Sequence, residues 1–492
     1  MADIKTRDFS AASAVSILDP QLRKALAQVG TGFDAARRAA IDEVSPELWD
    51  EWREEARQIK IHALDHLDYY LDLLEQNVAK AGGHVHFAKD AGQANEIMGA
   101  LVRTRNIKVA TKSKSMVSEE LSLNPALEAQ GVDVYETDLG EYIIQLAEET
   151  PFHLVAPALH KTKEQVAQLF TDKLGIPYTE DINGLAAAAR IALREKFLEA
   201  DLGISGANFL VAETGTLVII TNEGNGRLST SAPRIHVGIT GMEKVIPSMQ
   251  DLAVFLRLLP RSATGQGITS YVSMVTGPRR SDDEDGPEEF HLIIVDNGRS
   301  KMLADPDLRE ALYCIRCAAC LNICPVYQKV GGHAYGWVYP GPIGAIVTPS
   351  LIGLKEARDL PQASSLCGAC REVCPVKINL PRMLLHLRQK SAESPDSSER
   401  SAGLVPNLVA AGYTRLMRSP GLLKLSHGWA RWKQNVWAAM PLFPLTKRNG
   451  MIRKASLPLL SRWTRSRDLP ELPKNAFRDI WKKELSKDKD GR

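Results

Sequence analysis

Apolar positions recur at spacings of three and four through residues 15–80. Leu64, Leu67, Leu71 and Leu74 mark one stripe, with charged residues between them. That period predicts amphipathic helices. From Gly83 the pattern changes to short apolar runs alternating with helical stretches. His84–Ala88, Ile107–Thr111, Val132–Tyr135, His153–Ala156, Phe209–Ala212, Leu217–Thr221, Ile235–Ile239 and Leu292–Val295 read as strands. Ala94–Arg103 and Ser118–Ala129 read as helices. Such alternation predicts an α/β domain with a mostly parallel sheet. The charged, turn-rich stretch Arg279–Pro287 reads as a surface loop. Beyond residue 300 the pattern is mainly helical, except for Gly331–Pro349, whose glycines and prolines predict a loop. The expected organisation is a helical segment at 1–82, an α/β domain at 83–299, a cysteine-bearing helical domain at 300–392 and a helical tail at 393–492.

All seven cysteines fall in two runs in the third segment. Cys314, Cys317, Cys320 and Cys324, closed by Pro325, stand as C-x2-C-x2-C-x3-C-P. Cys367, Cys370 and Cys374, closed by Pro375, form a shortened copy. In the bacterial ferredoxin spacing, three cysteines hold one cubane cluster while the fourth reaches to a second. Crossed ligation assigns Cys314, Cys317, Cys320 and Cys374 to one complete [4Fe–4S] site. Cys324, Cys367 and Cys370 remain for a second site with three thiolates. Ser364 stands where its fourth ligand would be. Serine alkoxide, water or a partner residue would complete that site, or it would settle as [3Fe–4S]. Zinc modules usually pair two C-x2-C hooks across a longer loop, and the Cys-Pro ending has no zinc rationale. A chain of 492 residues has core enough to need no disulfide framework. The 42 residues between Cys324 and Cys367 favour a helical ferredoxin-type module over a compact β-rich one.

Hydrophobic content of 44% and charged content of 24% describe an ordinary globular chain. The N-terminus has no apolar signal region and no apolar run reaches eighteen residues, so the expected location is the cytoplasm. The net charge of +2 hides an asymmetry: residues 401–492 carry 19 Lys/Arg against 6 Asp/Glu. The same stretch holds Trp429, Trp432, Trp437, Trp463 and Trp481. A basic, aromatic tail reads either as a solvated segment whose aromatics anchor on the neighbouring domain or as peripheral contact with an anionic membrane or an acidic partner. Nucleic acid is disfavoured, because no binding motif accompanies the charge.

In the α/β part, Ile107–Thr111 runs into Lys112-Ser-Lys-Ser115 ahead of a helix. Amides, dipole and ammonium groups would converge there on an anion, or Ser115 simply caps the helix. Glu213-Thr-Gly-Thr and Asn222-Glu-Gly-Asn-Gly-Arg227 flank a strand with polar, glycine-rich turns that match neither a Walker loop nor a dinucleotide fingerprint. His153 and His160 read as satisfied surface histidines more readily than as ligands or bases.

With the A-E-T-G-T-L and N-E-G-N-G-R segments, the K-S-K-S loop upstream and the seven cysteines downstream, the chain closely resembles the lactate utilization protein B family over nearly its full length. The resemblance implies an α/β domain with the fold shared by sugar-phosphate isomerases and coenzyme A transferases. It implies two [4Fe–4S] clusters on the seven cysteines. It also implies oxidation of L-lactate to pyruvate without a nicotinamide cofactor, and two companion subunits, one rich in cysteines and one a second α/β protein. If lactate binds to this chain, Lys112, Lys114 and Arg227 are the candidates to grip its carboxylate. The rival readings are a carrier of electrons from glycolate or glycerol phosphate, and an acyl-transfer or isomerase-type enzyme using Glu213 beside structural clusters.

Overall fold

Prolines and capping side chains start the long N-terminal helices. Asp19 accepts from Leu22 N–H ahead of helix Pro20–Asp42, and Ser45 accepts from Leu48 N–H ahead of helix Pro46–Asp65. In both, proline opens the helix, where its missing N–H costs nothing. The stripe read from sequence is buried: Leu64, Leu67 and Leu74 pack with Trp49, Ala56 and Ala63. This computed structural model describes residues 4–400, 404–439, 446–448, 451–454, 468–473, 475 and 477–485.

The chain divides into two units, 1–401 and 402–492. Among its described residues the first contains ten strands: β1 (His84–Ala88), β2 (Val109–Lys112), β3 (Asp133–Glu136), β4 (Leu202–Ser205), β5 (Phe209–Val211), β6 (Thr216–Thr221), β7 (Ile235–Gly241), β8 (Val245–Ile246), β9 (Tyr271–Val275) and β10 (Glu289–Val295). Six form a sheet in the order β1-β10-β7-β4-β2-β3, parallel throughout. All seven residues of β7 are buried, as befits a central parallel strand covered on both faces. A smaller mixed sheet follows the order β8-β5-β6-β9. Gly203 in β4 permits one close approach, because a Cβ there would meet Ser229 O at 1.7 Å. Helix Asn225–Ser231 lies against the strand for that reason. The expected α/β domain with a mostly parallel sheet is present.

A single apolar core joins the N-terminal helices, the smaller sheet and the cysteine region. Leu26, Val218 and Phe255 share it with Leu321, Ile346 and Leu384. Two helical elements in the cysteine region echo the sequence repeat, Ala319–Asn322 after Cys317 and Ala369–Glu372 after Cys367.

Three expectations fail locally. His153–Ala156 is no strand: the His153 ring accepts from Val155 and Ala156 N–H and satisfies that backbone itself. Ser118–Ala129 is two short helices, Met116–Glu120 and Leu123–Glu128, broken by Ser122 at φ +53°. Within the predicted loop Gly331–Pro349, a helix runs Gly341–Ile352. Pro342 sits in the first turn, where proline is tolerated, while Pro349 lies inside the helix and forfeits one backbone bond, which burial of nearly every side chain offsets.

In the second unit, helices Leu404–Arg418 and Pro420–Ala439 precede short antiparallel strands at Thr446–Arg448, Met451–Lys454 and Leu469–Pro470. Trp429 and Trp432 are exposed, and Lys433 Nζ lies 3.7 Å from the Trp429 ring centroid. Trp463 lies outside the described residues.

Candidate metal centre and the adjoining cleft

The tight turns between the first cysteines are built on non-glycine residues in the left-handed region, Arg316 at φ +61° and Ala318 at φ +62°. They turn the Arg316 N–H onto Cys314 Sγ at 3.4 Å. Ile378 N–H meets Cys374 Sγ at the same distance. Backbone donors aimed at sulfur favour the thiolate and a bound cluster.

Cys314, Cys317, Cys320 and Cys374 line one apolar cavity with Leu154, Ile343 and Val376. The other three sulfurs act on each other, Cys324 with Cys367 and Cys370 with both. This grouping is compatible with crossed ligation, and Cys370 also lies within electrostatic reach of Cys320. Burial pushes the Cys374 thiol up to about 11 and the Cys370 thiol up to about 12. Cys317 and Cys320 are raised further by burial and by neighbouring thiols. Thiols crowded out of water in this way need a cationic core to ionise. Zinc fits poorly. At ~2.3 Å per bond a tetrahedral ion draws its sulfurs to within about 4 Å of one another. Among the described residues, no three cysteine sulfurs lie within 4.8 Å of each other. The donor set fits a wider, cuboidal iron–sulfur core.

The two sites differ in setting. Arg53 donates through Nη2 and Nε to Cys374 O at 2.9 and 3.1 Å, and Arg37 acts on Cys317. Lys60, Lys244 and Arg316 all act on Cys314. At the other site Cys367 is exposed, and its charged neighbour is Glu372. A backbone N–H and the Ser365 side chain hold the Cys367 thiol below its usual range. The hydroxyl of Ser364 accepts from Leu366 N–H at 3.1 Å.

A cleft of about 450 Å3 opens beside the first site, where the α/β domain meets the cysteine region. The segments just past the carboxyl ends of β2, β4 and β7 supply Ser113–Val117, Gly206–Asn208 and Lys244. That is the edge at which open parallel sheets bind ligands. Arg316 and Tyr339 close the cleft from the cysteine side. Arg316 and Leu154 line both the cleft and the four-thiol cavity. A buried polar network holds the seam. Arg299 grips Glu120 with two bonds of 2.9 Å and Glu243 with one of 2.6 Å, while Tyr339 Oη donates to Glu120 at 2.7 Å.

The three anion candidates do not converge. Lys112 is fully buried and bonded to Glu119 at 2.6 Å, Glu136 at 2.8 Å and Ser118 at 2.9 Å, so its charge is spent inside the domain. Ser115 caps helix Met116–Glu120. Lys114 lines the cleft, its ammonium donating to Val155 O at 2.8 Å. Arg227 lies elsewhere, over the Tyr271 ring at 4.7 Å. Glu213 is exposed and accepts from Met249 N–H at 3.0 Å, outside the cleft lining. His153 is satisfied as expected but buried, its Nε2 bonded to Asn322 Oδ1 at 3.0 Å. His160 is mostly buried, with its ring against Phe152 and Nε2 on Glu149. Sequence reasoning missed Lys244 and Arg316. The second was in plain view inside a C-x2-C turn; the first sits in no recognisable pattern.

Fold and site together define an iron–sulfur protein in which a dicluster module is built onto an α/β domain. The LUD domain family matches residues 71–295, and the 4Fe-4S dicluster domain family matches residues 310–378. The chain belongs to the lactate utilization protein B family. It is 45% identical to lactate utilization protein B of Bacillus licheniformis over 487 residues, covering 99% of this chain and 98% of the relative. It is 47% identical to the Bacillus subtilis protein of that name, covering 88% and 87%. A crystal structure of a DUF162 family protein from Deinococcus radiodurans covers 46% of this chain and 98% of its own, at 13% identity and a TM-score of 0.27, a likeness too slight to carry an argument.

Proposed function

We propose that this protein is the iron–sulfur electron carrier in the oxidation of L-lactate to pyruvate. The carrying observation is the shared wall: Arg316, between Cys314 and Cys317, faces both the four-thiol cavity and the cleft. Oxidation of lactate releases two electrons and two protons. Bound clusters supply one-electron acceptors, and two sites in one module match the electron count. Cys314, Cys317, Cys320 and Cys374 would hold one [4Fe–4S] cluster. Cys324, Cys367 and Cys370 would hold the second, completed by a ligand outside these cysteines or settled as [3Fe–4S]. The chain's own residues bury Cys317 and Cys374 and order the sulfurs of Cys314 and Cys374 through the N–H donors of Arg316 and Ile378.

The reading includes two companion subunits, a cysteine-rich one and a second α/β protein, with the basic tail as contact surface for them or for a membrane. Among the described residues no helix is long and apolar enough to cross a membrane. The protein is to be purified anaerobically with its companions and mixed with L-lactate while absorbance and EPR are followed. Cluster reduction within the turnover time supports the reading. Reduction by dithionite alone, with all companions present, sinks it. Reduction by glycolate but not lactate would reassign the donor. The acyl-transfer alternative finds no support, because Glu213 is tied to the start of helix Met249–Ala263.

A further inference from the structure

Two cations in the cleft share one carboxylate, Glu243, and neither is hydrogen-bonded to it. Lys244 is 7% exposed and lines the cleft, yet its ammonium has no hydrogen bond or ion pair among the described residues. The Arg316 guanidinium is also largely buried. It lies 3.6 Å from Glu243, beyond hydrogen-bond reach, and stacks over Tyr339 at 4.9 Å. None of its N–H donors is hydrogen-bonded to the protein among the described residues, although its backbone N–H is used on Cys314. The two charges stand within electrostatic reach of each other. Neighbouring cations show what satisfaction looks like here. Arg299 makes charged bonds to two carboxylates, Lys112 to two more, and Lys60 donates to the carbonyls of Glu243 and Val245. Glu243 is the one carboxylate acting on both charges, and its other oxygen is bonded to Arg299, so the open N–H donors of Lys244 and Arg316 would be satisfied by a second anion entering the cavity.

We propose that Lys244 and Arg316 form the carboxylate-binding site for a short 2-hydroxy or 2-oxo acid, held against the wall of the four-cysteine site. The planar fork of Arg316 suits a bidentate carboxylate, with Lys244 as the second point of charge. Ile220, Leu259 and Ala263 line the same cleft and give an apolar surface for the acid's carbon chain. The acid is thereby placed beside the ligands of one particular cluster. Only the choice of acid rests on the lactate reading; the two open cations do not.

The test uses the full-length, cluster-loaded protein under anaerobic conditions. Calorimetric titration with L-lactate, pyruvate, glycolate and inorganic phosphate is compared for wild type, Lys244→Gln, Arg316→Gln and the exposed-site control Lys173→Gln. Pyruvate or lactate binding is expected to weaken roughly 30-fold in each cleft variant and to stay unchanged in the control. Bound acid is also expected to shift the EPR signal of the four-cysteine cluster in wild type but not in Lys244→Gln. Because Arg316 adjoins two ligands, its variant counts only if iron content is retained; Lys244→Gln carries the test alone otherwise. Lactate binding unaffected by Lys244→Gln would overturn the site while leaving the lactate reading intact. Glycolate binding that depends on Lys244, with lactate not bound, would keep the site and overturn lactate as the acid. Phosphate binding in preference to every carboxylate would overturn the assignment.

Discussion

The two cysteine runs are copies in sequence, but the two sites that crossed ligation would build from them differ in setting. Both runs follow C-x2-C-x3-C-P, and both begin a short helix after the first cysteine of that run. The four-cysteine site, Cys314, Cys317, Cys320 and Cys374, has two buried and two partly buried cysteines, with Arg37, Arg53, Lys60, Lys244 and Arg316 acting on its thiols. The second site lacks a fourth cysteine, exposes Cys367 and has Glu372 beside it. Surrounding positive charge favours the reduced, more negative cluster, and solvent access changes potential and reactivity. Duplication of a ligand motif therefore copied geometry without copying electrostatics. The cation-lined site suits the end near the cleft, and the site with exposed Cys367 suits exchange with a partner.

The largest expected effect separates the sites by ligand removal. Cys374→Ala should cost about half the bound iron. It should also abolish lactate-driven reduction of the remaining cluster. Cys367→Ala should lower iron similarly but leave lactate-driven reduction of the four-cysteine cluster. Iron assay and EPR on the reconstituted complex decide this, and equal loss of lactate-driven reduction in both variants would break the comparison. Next in size is oxidative damage. On exposure to air with a chelator present, the site containing exposed Cys367 should degrade several-fold faster than the buried one, seen as two phases in the visible absorbance. A single phase would mean that exposure does not distinguish them.

A smaller effect tests the electrostatics. Arg53 reaches the Cys374 carbonyl without ligating anything, so Arg53→Gln should keep both clusters. Removing one charge at this range should lower the potential of the four-cysteine cluster by on the order of 50–100 mV. The other cluster should move far less in the same redox titration. Equal shifts would show a general effect on the module and not a local field.

Cysteine spacing pointed to a pairing of Cys314 with Cys374 across 60 residues of chain, because covalent ligation tolerates little variation in reach, and both line one cavity in the fold. The parallel sheet was legible for a similar reason: buried strands such as β7 and β10 leave long apolar runs. What was hidden depended on contacts distant in sequence. Lys112 looked like an anion grip because Glu119 and Glu136 fold back onto it only in three dimensions. Gly341–Ile352 looked like a loop because its glycines and prolines signal one locally, while its burial is tertiary. The open ammonium of Lys244 has no local signature at all, since what marks it is the lack of a hydrogen bond among the described residues.

The smallest effect concerns the joint between the α/β domain and the first cysteine run. His153 is buried with Nδ1 accepting two backbone N–H groups, so Nε2 carries the proton it donates to Asn322 Oδ1. Burial holds its pKa down to about 4, against 6.5 in the unfolded chain. Between those values the unfolded state binds more protons than the native one. Stability should fall as the pH drops from about 6.5 toward 4, by about 1.4 kcal/mol per unit at most from this group. Above 6.5 the contribution is flat, because the ring is neutral in both states. His153→Gln should lower stability at pH 7.5, by leaving backbone donors of Val155 and Ala156 poorly matched, and should flatten the dependence between pH 6.5 and 5.5. Denaturant unfolding of both proteins over that window measures the difference in slope. An unchanged slope would show that His153 protonates without cost, and that the joint beside the first cysteine run is looser than its hydrogen bonds indicate.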